Sequence, residues 1–110
     1  MEFIKSGGFQ IINYNLTELC PLLAKPYELE KSDENSRIYK YVISAKGLDW
    51  AWFPTEWHAM DDDFFGLTKG YYIELGYFNL DDFNGIEGVE FSWSEIEPMT
   101  QSEIKEYYGL

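Results

Sequence analysis

The stretch Asp49–Phe83, DWAWFPTEWHAMDDDFFGLTKGYYIELGYFNLDDF, decides the fold of this 110-residue chain. It holds three of the four tryptophans, the only histidine and three consecutive aspartates. Its aromatic and β-branched runs are separated by turns rich in glycine and aspartate, a pattern typical of antiparallel strands. We predict strands at 50–57, 63–68 and 71–78, joined by a loop at 59–62 and a tight connection at Lys69-Gly70.

Outward from this stretch, further strands are predicted at 37–45 and 89–93. The sequence NLTE at 15–18 and the sequence TQSE at 100–103 resemble capping boxes, so they predict helical turns near 16–24 and a C-terminal helix closed by Gly109. Asn79 and the acids after it predict a short helix. The fold class expected is α+β: a single domain, 1–110, with an antiparallel sheet of about five strands and two or three short helices. Residues 1–8 are expected to be flexible and 28–37 to form an exposed loop.

Three finer expectations concern individual side chains. Strict alternation would place Tyr39, Tyr41 and Ile43 on one face of their strand. Pro54 has no N–H for a ladder, so it should end or bend its strand or place it at an edge. Gly76 should leave a gap that a neighbouring tryptophan fills.

The charge of the chain is large and one-sided. Residues 1–48 carry six acids and six bases, whereas residues 49–110 carry 14 acids and two lysines and account for the whole net charge of −12. Such a field repels nucleic acid and anionic membranes and attracts basic protein surfaces. The simplest interpretation is solubility, but solubility alone does not require one half of the chain to be neutral.

Other bulk features exclude several classes of protein. A hydrophobic content of 45% with 19% aromatic residues is too high for a disordered chain. No apolar run approaches the roughly 20 residues of a membrane span, and the N-terminus lacks a signal-peptide pattern. One cysteine, Cys20, cannot form an internal disulfide, which favours the cytoplasm. We interpret Cys20 as a small core residue.

Three motifs in the central stretch resemble a small uncharacterised protein family. They are WFPTE at 52–56, FFGL at 64–67 and, beyond Gly70, ELGYFNL at 74–80. The family pattern is roughly W-Y-A-T-E, F-F-G-L-V and E-L-G-Y-F-S-L, and the resemblance covers about residues 20–98. This chain departs from it at Phe53-Pro54 and in its three aspartates before the phenylalanine pair. The family is common on plasmids, phages and integrated elements. The resemblance implies a mobile-element protein and assigns no catalytic residue.

One cluster could carry chemistry. His58 lies between Glu56 and the three aspartates at 61–63, and clustered carboxylates can hold a divalent cation. The spacing does not match a calcium loop, and a zinc hydrolase needs more nitrogen or sulfur ligands. A solvated acidic loop is therefore the preferred interpretation, and we predict no catalytic residue, cofactor or metal.

The leading hypothesis is a non-enzymatic protein that binds a basic protein surface through its acidic half. A nuclease channel that neutralises phosphates would also accept fixed carboxylates, so the chain would be a nucleic-acid mimic and an anti-defence inhibitor (anti-CRISPR or anti-restriction). The carboxylates expected to contact the partner are Glu56, Asp61, Asp62, Asp63, Asp81, Asp82, Glu87 and Glu90, with Glu95, Glu97, Glu103 and Glu106 behind them.

Two alternatives stay open. The first is an accessory module that docks on a protein partner through exposed aromatic residues, from a set that includes Trp50, Trp52 and Tyr71. Base stacking on nucleic acid is disfavoured, because this half of the chain has only two lysines to hold phosphates. The second alternative is a small metal-dependent hydrolase centred on Glu56, His58 and the aspartates at 61–63.

Overall fold

The protein is described here from a computed structural model, which covers residues 15–26, 36–84, 86 and 88–110. The predicted flexible segment 1–8 and most of the predicted loop at 28–37 lie outside these ranges. Within them, five strands form one antiparallel sheet in the order β4-β3-β2-β1-β5. The strands are β1 Tyr39–Ala45, β2 Ala51–His58, β3 Asp63–Lys69, β4 Ile73–Asn79 and β5 Phe91–Met99. The α+β fold class is therefore confirmed.

The helical elements of the described chain are short. Two α-helices, α1 at Leu80–Asn84 and α2 at Gln101–Tyr108, follow β4 and β5. Two 3-10 turns, Leu16–Glu18 and Cys20–Leu22, precede the sheet in the region where helical turns were predicted. Pro21 is the second residue of the second turn, where it is tolerated because the first helical N–H groups have no partner in the helix.

Each face of the sheet carries its own hydrophobic core. On the first face, aromatic side chains pack against the 3-10 turns and α1, and the buried members are Leu16, Leu19, Cys20, Ile43, Ala45, Phe64, Phe78, Phe83 and Phe91. On the second face, a core of mixed aliphatic and aromatic side chains packs against α2, and the buried members are Tyr39, Val42, Ala51, Phe53, Leu67, Ile96 and Ile104. Alternation along β2 produces this division: Trp52 packs on the first core, while Ala51 and Phe53 enter the second.

A bulge in β2 reverses this alternation half-way along the strand. The pairing of β2 with β3 changes register between Pro54 and Glu56, and an extra residue at such a point turns the following side chains over. Trp57 therefore packs on the first core, although it lies five residues after Trp52. Beyond Pro54 the other edge of β2 pairs with Ala24, whose N–H donates to the Thr55 carbonyl. The predicted bend at Pro54 is thus confirmed as a bulge.

Both terminal caps predicted for the C-terminal helix are present. Thr100 Oγ1 accepts from the Glu103 N–H at 3.2 Å, and Glu103 Oε1 accepts from the Thr100 N–H at 2.9 Å. Gly109 ends the helix in the left-handed conformation with φ of 72°. Ile104 is fully buried on this helix, so the cap holds the element that covers the second core.

Several finer predictions are wrong. Tyr39 enters the second core rather than sharing a face with Tyr41, because the pairing of β1 with β5 shifts register between them. A Cβ placed on Gly76 would meet no atom within 4 Å, so no tryptophan fills that gap. The last strand is also longer than predicted, since it runs from Phe91 to Met99.

Candidate functional site

Two turns meet at one corner of the sheet and bring distant aspartates together. The antiparallel register of β3 and β4 sets Asp63 opposite Asn79. The Asn79 side-chain amide donates to the Asp63 carboxylate at 2.8 Å and to the Asp61 carbonyl at 3.0 Å. The Leu80 N–H donates to the Asp62 carbonyl at 2.8 Å. The turn between β2 and β3 is therefore fixed to the start of α1.

The acids at the start of α1 lie at the same corner. Asn79 Oδ1 accepts from the Asp81 N–H at 2.9 Å, and the Asn79 N–H donates to Asp82 Oδ2 at 3.1 Å. Asn79 thus caps α1, as predicted, while its amide holds the other turn. We call Asp61, Asp62, Asp63, Asp81 and Asp82 the acidic corner.

The charge of the acidic corner is not compensated locally. Asp61, Asp62, Asp81 and Asp82 are exposed, and Asp63 is half-buried. Within the described part of the chain, none of the five carboxylates forms an ion pair, and their hydrogen bonds come from the neutral groups of Asn79. Asp62 has φ of 53°, a left-handed conformation that aspartate tolerates better than most residues. The backbone therefore holds several like charges close together.

The other predicted contact residues are not part of this corner. Glu56 is only 3% exposed, so it does not present its carboxylate to a partner. Glu87 lies outside the described residues. Glu90 is exposed and lines a shallow cavity of about 280 Å³ beside Asn15 and Val89. The four acids placed behind these are exposed on β5 and α2: Glu95, Glu97, Glu103 and Glu106.

Glu56 and His58 form a buried pair. The β2 bulge turns both side chains to the second face, where His58 Nε2 lies 3.0 Å from Glu56 Oε1. Tyr77 packs edge-on against the imidazole with ring centroids 5.2 Å apart. The pairing provides the hydrogen bond that a buried carboxylate and imidazole need. In the described ranges, no group of three or more His, Cys, Asp or Glu side chains is arranged to hold a metal ion.

An apolar groove adjoins the acidic corner on the first face. Its volume is about 300 Å³, and the described residues that line it are one carboxylate and seven apolar side chains: Asp82, Leu48, Trp50, Trp52, Phe78, Phe83, Ile86 and Phe91. We call this the aromatic groove. Leu48, Trp50 and Ile86 remain 39%, 40% and 50% exposed at its opening. Asp82 belongs to both surfaces.

Trp50 is positioned by a close approach to the tip of the β3–β4 hairpin. A Cβ on Gly70 would lie 2.6 Å from the indole, so the ring requires a glycine there. Tyr71, itself 84% exposed, packs edge-on against Trp50 with centroids 6.3 Å apart. The sequence contains no signal for Leu48 or Ile86, because the exposure of an apolar loop residue depends on what the fold places over it.

Cys20 is buried in the first core, as predicted. Its Sγ donates to the Leu16 carbonyl at 3.6 Å. Burial raises the pKa of the thiol to about 11, with a smaller contribution from the Asp62 charge. The thiol is therefore protonated at neutral pH, and Asp62 lies near enough to affect it.

Comparisons with known proteins assign the chain to no family. No protein-family profile matches it, and neither the curated proteins nor the solved structures include a match. The resemblance to an uncharacterised mobile-element family stays a prediction. None of the described helices is long and apolar enough to cross a membrane.

Proposed function

We propose that this protein is a non-enzymatic, cytoplasmic binding protein whose acidic corner docks on a basic protein surface. The observation that carries the proposal is the convergence of five aspartates, from two separate turns, without an ion pair to a described residue. Fixed, unneutralised carboxylates on a rigid scaffold complement a groove lined by lysine and arginine.

The partner class proposed is a nucleic-acid-binding protein, with the channel of a defence nuclease as the target. A channel that neutralises closely spaced phosphates attracts closely spaced carboxylates by the same Coulomb interaction. The protein would then inhibit by occupying the channel, as a mimic of nucleic acid. The net charge of −12 also speeds encounter with such a channel at low ionic strength.

The test is affinity capture from the host lysate, with capture repeated at about half-molar salt. One bait is the unaltered chain, and a second carries Asp61→Asn and Asp81→Asn. The matched control carries Glu74→Gln and Glu106→Gln, which remove the same charge from exposed positions away from the corner. All of these changes keep the side-chain shape.

We expect a basic nucleic-acid enzyme to be captured at low salt by the unaltered and control baits and lost from the corner variant. High salt should release it, because screening weakens exposed charge pairs. Duplex DNA should compete for it. A partner that binds both variants equally, or that DNA does not displace, would refute docking through the corner.

A further inference from the structure

We propose that the aromatic groove is the binding site for an arginine side chain of the basic partner. This inference rests on the proposed function and deepens it, since it assigns one partner residue type to one site. In the groove the acidic corner continues, through Asp82, into exposed aromatic rings, and this occurs nowhere else among the described residues. A planar cation would contact both the Asp82 carboxylate and the aromatic rings.

The rings of the groove form a fixed wall with one accessible indole. Trp52 is held edge-on by Phe83 at 5.0 Å and by Phe91 at 5.7 Å between centroids. Trp50 lies 6.3 Å from Trp52 at an interplanar angle of 32° and remains 40% exposed. A cation binds over an indole face when it lies within roughly 6 Å of the ring centroid. The groove therefore offers a preformed surface for a cation.

The charge of the lining selects a cation over a neutral or anionic ligand. Asp82 uses Oδ2 to accept from the Asn79 N–H, and Oδ1 accepts no hydrogen bond from the described residues. Among the residues that the structure describes, no lysine or arginine lines the groove. Lys69, on the neighbouring hairpin, instead donates to the Asp49 carbonyl and lies over the Tyr108 ring at 4.9 Å.

Size and shape favour arginine among the cations. A volume of about 300 Å³ is at the lower limit for small-molecule sites, which run from about 300 to 1,000 Å³, and it suits a single long side chain. The guanidinium is planar, weakly hydrated and able to stack on an indole while donating to a carboxylate. A lysine ammonium is a compact, strongly hydrated charge and gains less from such a wall.

The experiment is an NMR titration of the full chain with blocked Gly-Gly-X-Gly-Gly peptides, where X is arginine, lysine, citrulline or leucine. The signals followed are the indole N–H groups of Trp50 and Trp52. Citrulline keeps the shape of arginine and removes its charge. We expect arginine to bind at least threefold more tightly than lysine and tenfold more tightly than citrulline or leucine.

Two neighbouring carboxylates provide a matched pair of variants. Asp82→Asn should lower the affinity for the arginine peptide to the level of the citrulline peptide, while it retains an acceptor for the Asn79 N–H. Asp81→Asn removes the same charge one residue away, outside the groove lining, and should change the affinity less than twofold. Gly70→Ala, which would displace Trp50, should lower the affinity for the arginine peptide at least fivefold.

The results separate this inference from the proposed function. If leucine binds as tightly as arginine, the groove is an apolar docking site and the inference is wrong. It is equally wrong if both aspartate variants behave alike or if no peptide shifts the indole signals, even where corner-dependent capture of a partner persists. If arginine binds the groove but no partner depends on the corner, the groove site stands and the proposed function fails.

Discussion

The two faces of the sheet are covered by helical elements of different length and capping, and this difference decides which face is available for binding. The second face is closed by α2, an eight-residue helix with a full capping box, over a core in which Tyr39 and Phe53 pack among aliphatic side chains. The first face is covered by two three-residue 3-10 turns and the five-residue α1. These short elements leave the aromatic groove and the acidic corner at their margins. Because these short elements cover the large aromatic rings only in part, some of the ring surface is accessible while the core beneath it stays buried.

The largest loss of stability is expected from Phe83→Ala, which would remove a buried ring from the core on the first face. Phe83 is 5% exposed and packs edge-on against Trp52, Phe91 and Phe78. Removing a buried ring of this kind costs about 3–5 kcal/mol of the free energy of unfolding. Urea unfolding followed by tryptophan fluorescence measures it, with Phe83→Leu as the milder control. A loss below about 1 kcal/mol would show that α1 is not part of the folded core.

A smaller effect is expected from Asn79→Ala, which sharpens the comparison at the edge of the first face. It removes a helix cap and both amide hydrogen bonds to the β2–β3 turn, at a cost of about 2 kcal/mol. Asn79→Ser keeps a capping oxygen and loses the amide donor without adding a charge beside Asp63, so it should retain part of the stability. If the Asn79→Ser variant is as stable as the unaltered chain, the side-chain amide does not stabilise the corner.

The smallest effect is expected from Thr100→Ala on the second face. The change removes the cap of α2 and should cost about 1 kcal/mol, since Thr100 holds no other turn. Thr100→Ser, which keeps the hydroxyl, is the control. We expect the indole signals of Trp50 and Trp52 to be unaltered, because the groove lies on the opposite face. Movement of those signals would contradict the independence of the two faces.

Sequence reasoning predicted the features that local chemistry determines. Residue type and spacing alone predicted the helix caps at Asn79 and Thr100 and the helix end at Gly109. The structure confirms all three, with Gly109 in the left-handed conformation. The central strands were predicted within a few residues, because turns flank alternating aromatic runs. The convergence of Asp61–Asp63 with Asp81 and Asp82 needed the β3–β4 register, which the sequence does not display.

The errors have a common physical origin in long-range pairing. The face of Tyr39 depends on how β1 pairs with β5, which lies about 50 residues away. Burial of Glu56 depends on the bulge that places it on the second face beside His58. Trp50 packs at Gly70 rather than Gly76, because the hairpin tip and not the middle of β4 lies beside it. Each of these is a property of strand register rather than of residue type.

Cys20 carries the single thiol of the chain, so the rate at which a dye labels this thiol measures how often the first face opens. The Cys20 thiolate attacks a thiol-reactive dye, and burial, which raises the pKa of this thiol to about 11, suppresses the thiolate in the folded protein. At neutral pH the dye will therefore react only in molecules whose 3-10 turns have opened and exposed the thiol, with one dye per molecule. Because Asp62 lies near the thiol, a partner seated on the acidic corner should slow this reaction, so occupancy can be followed without altering a residue.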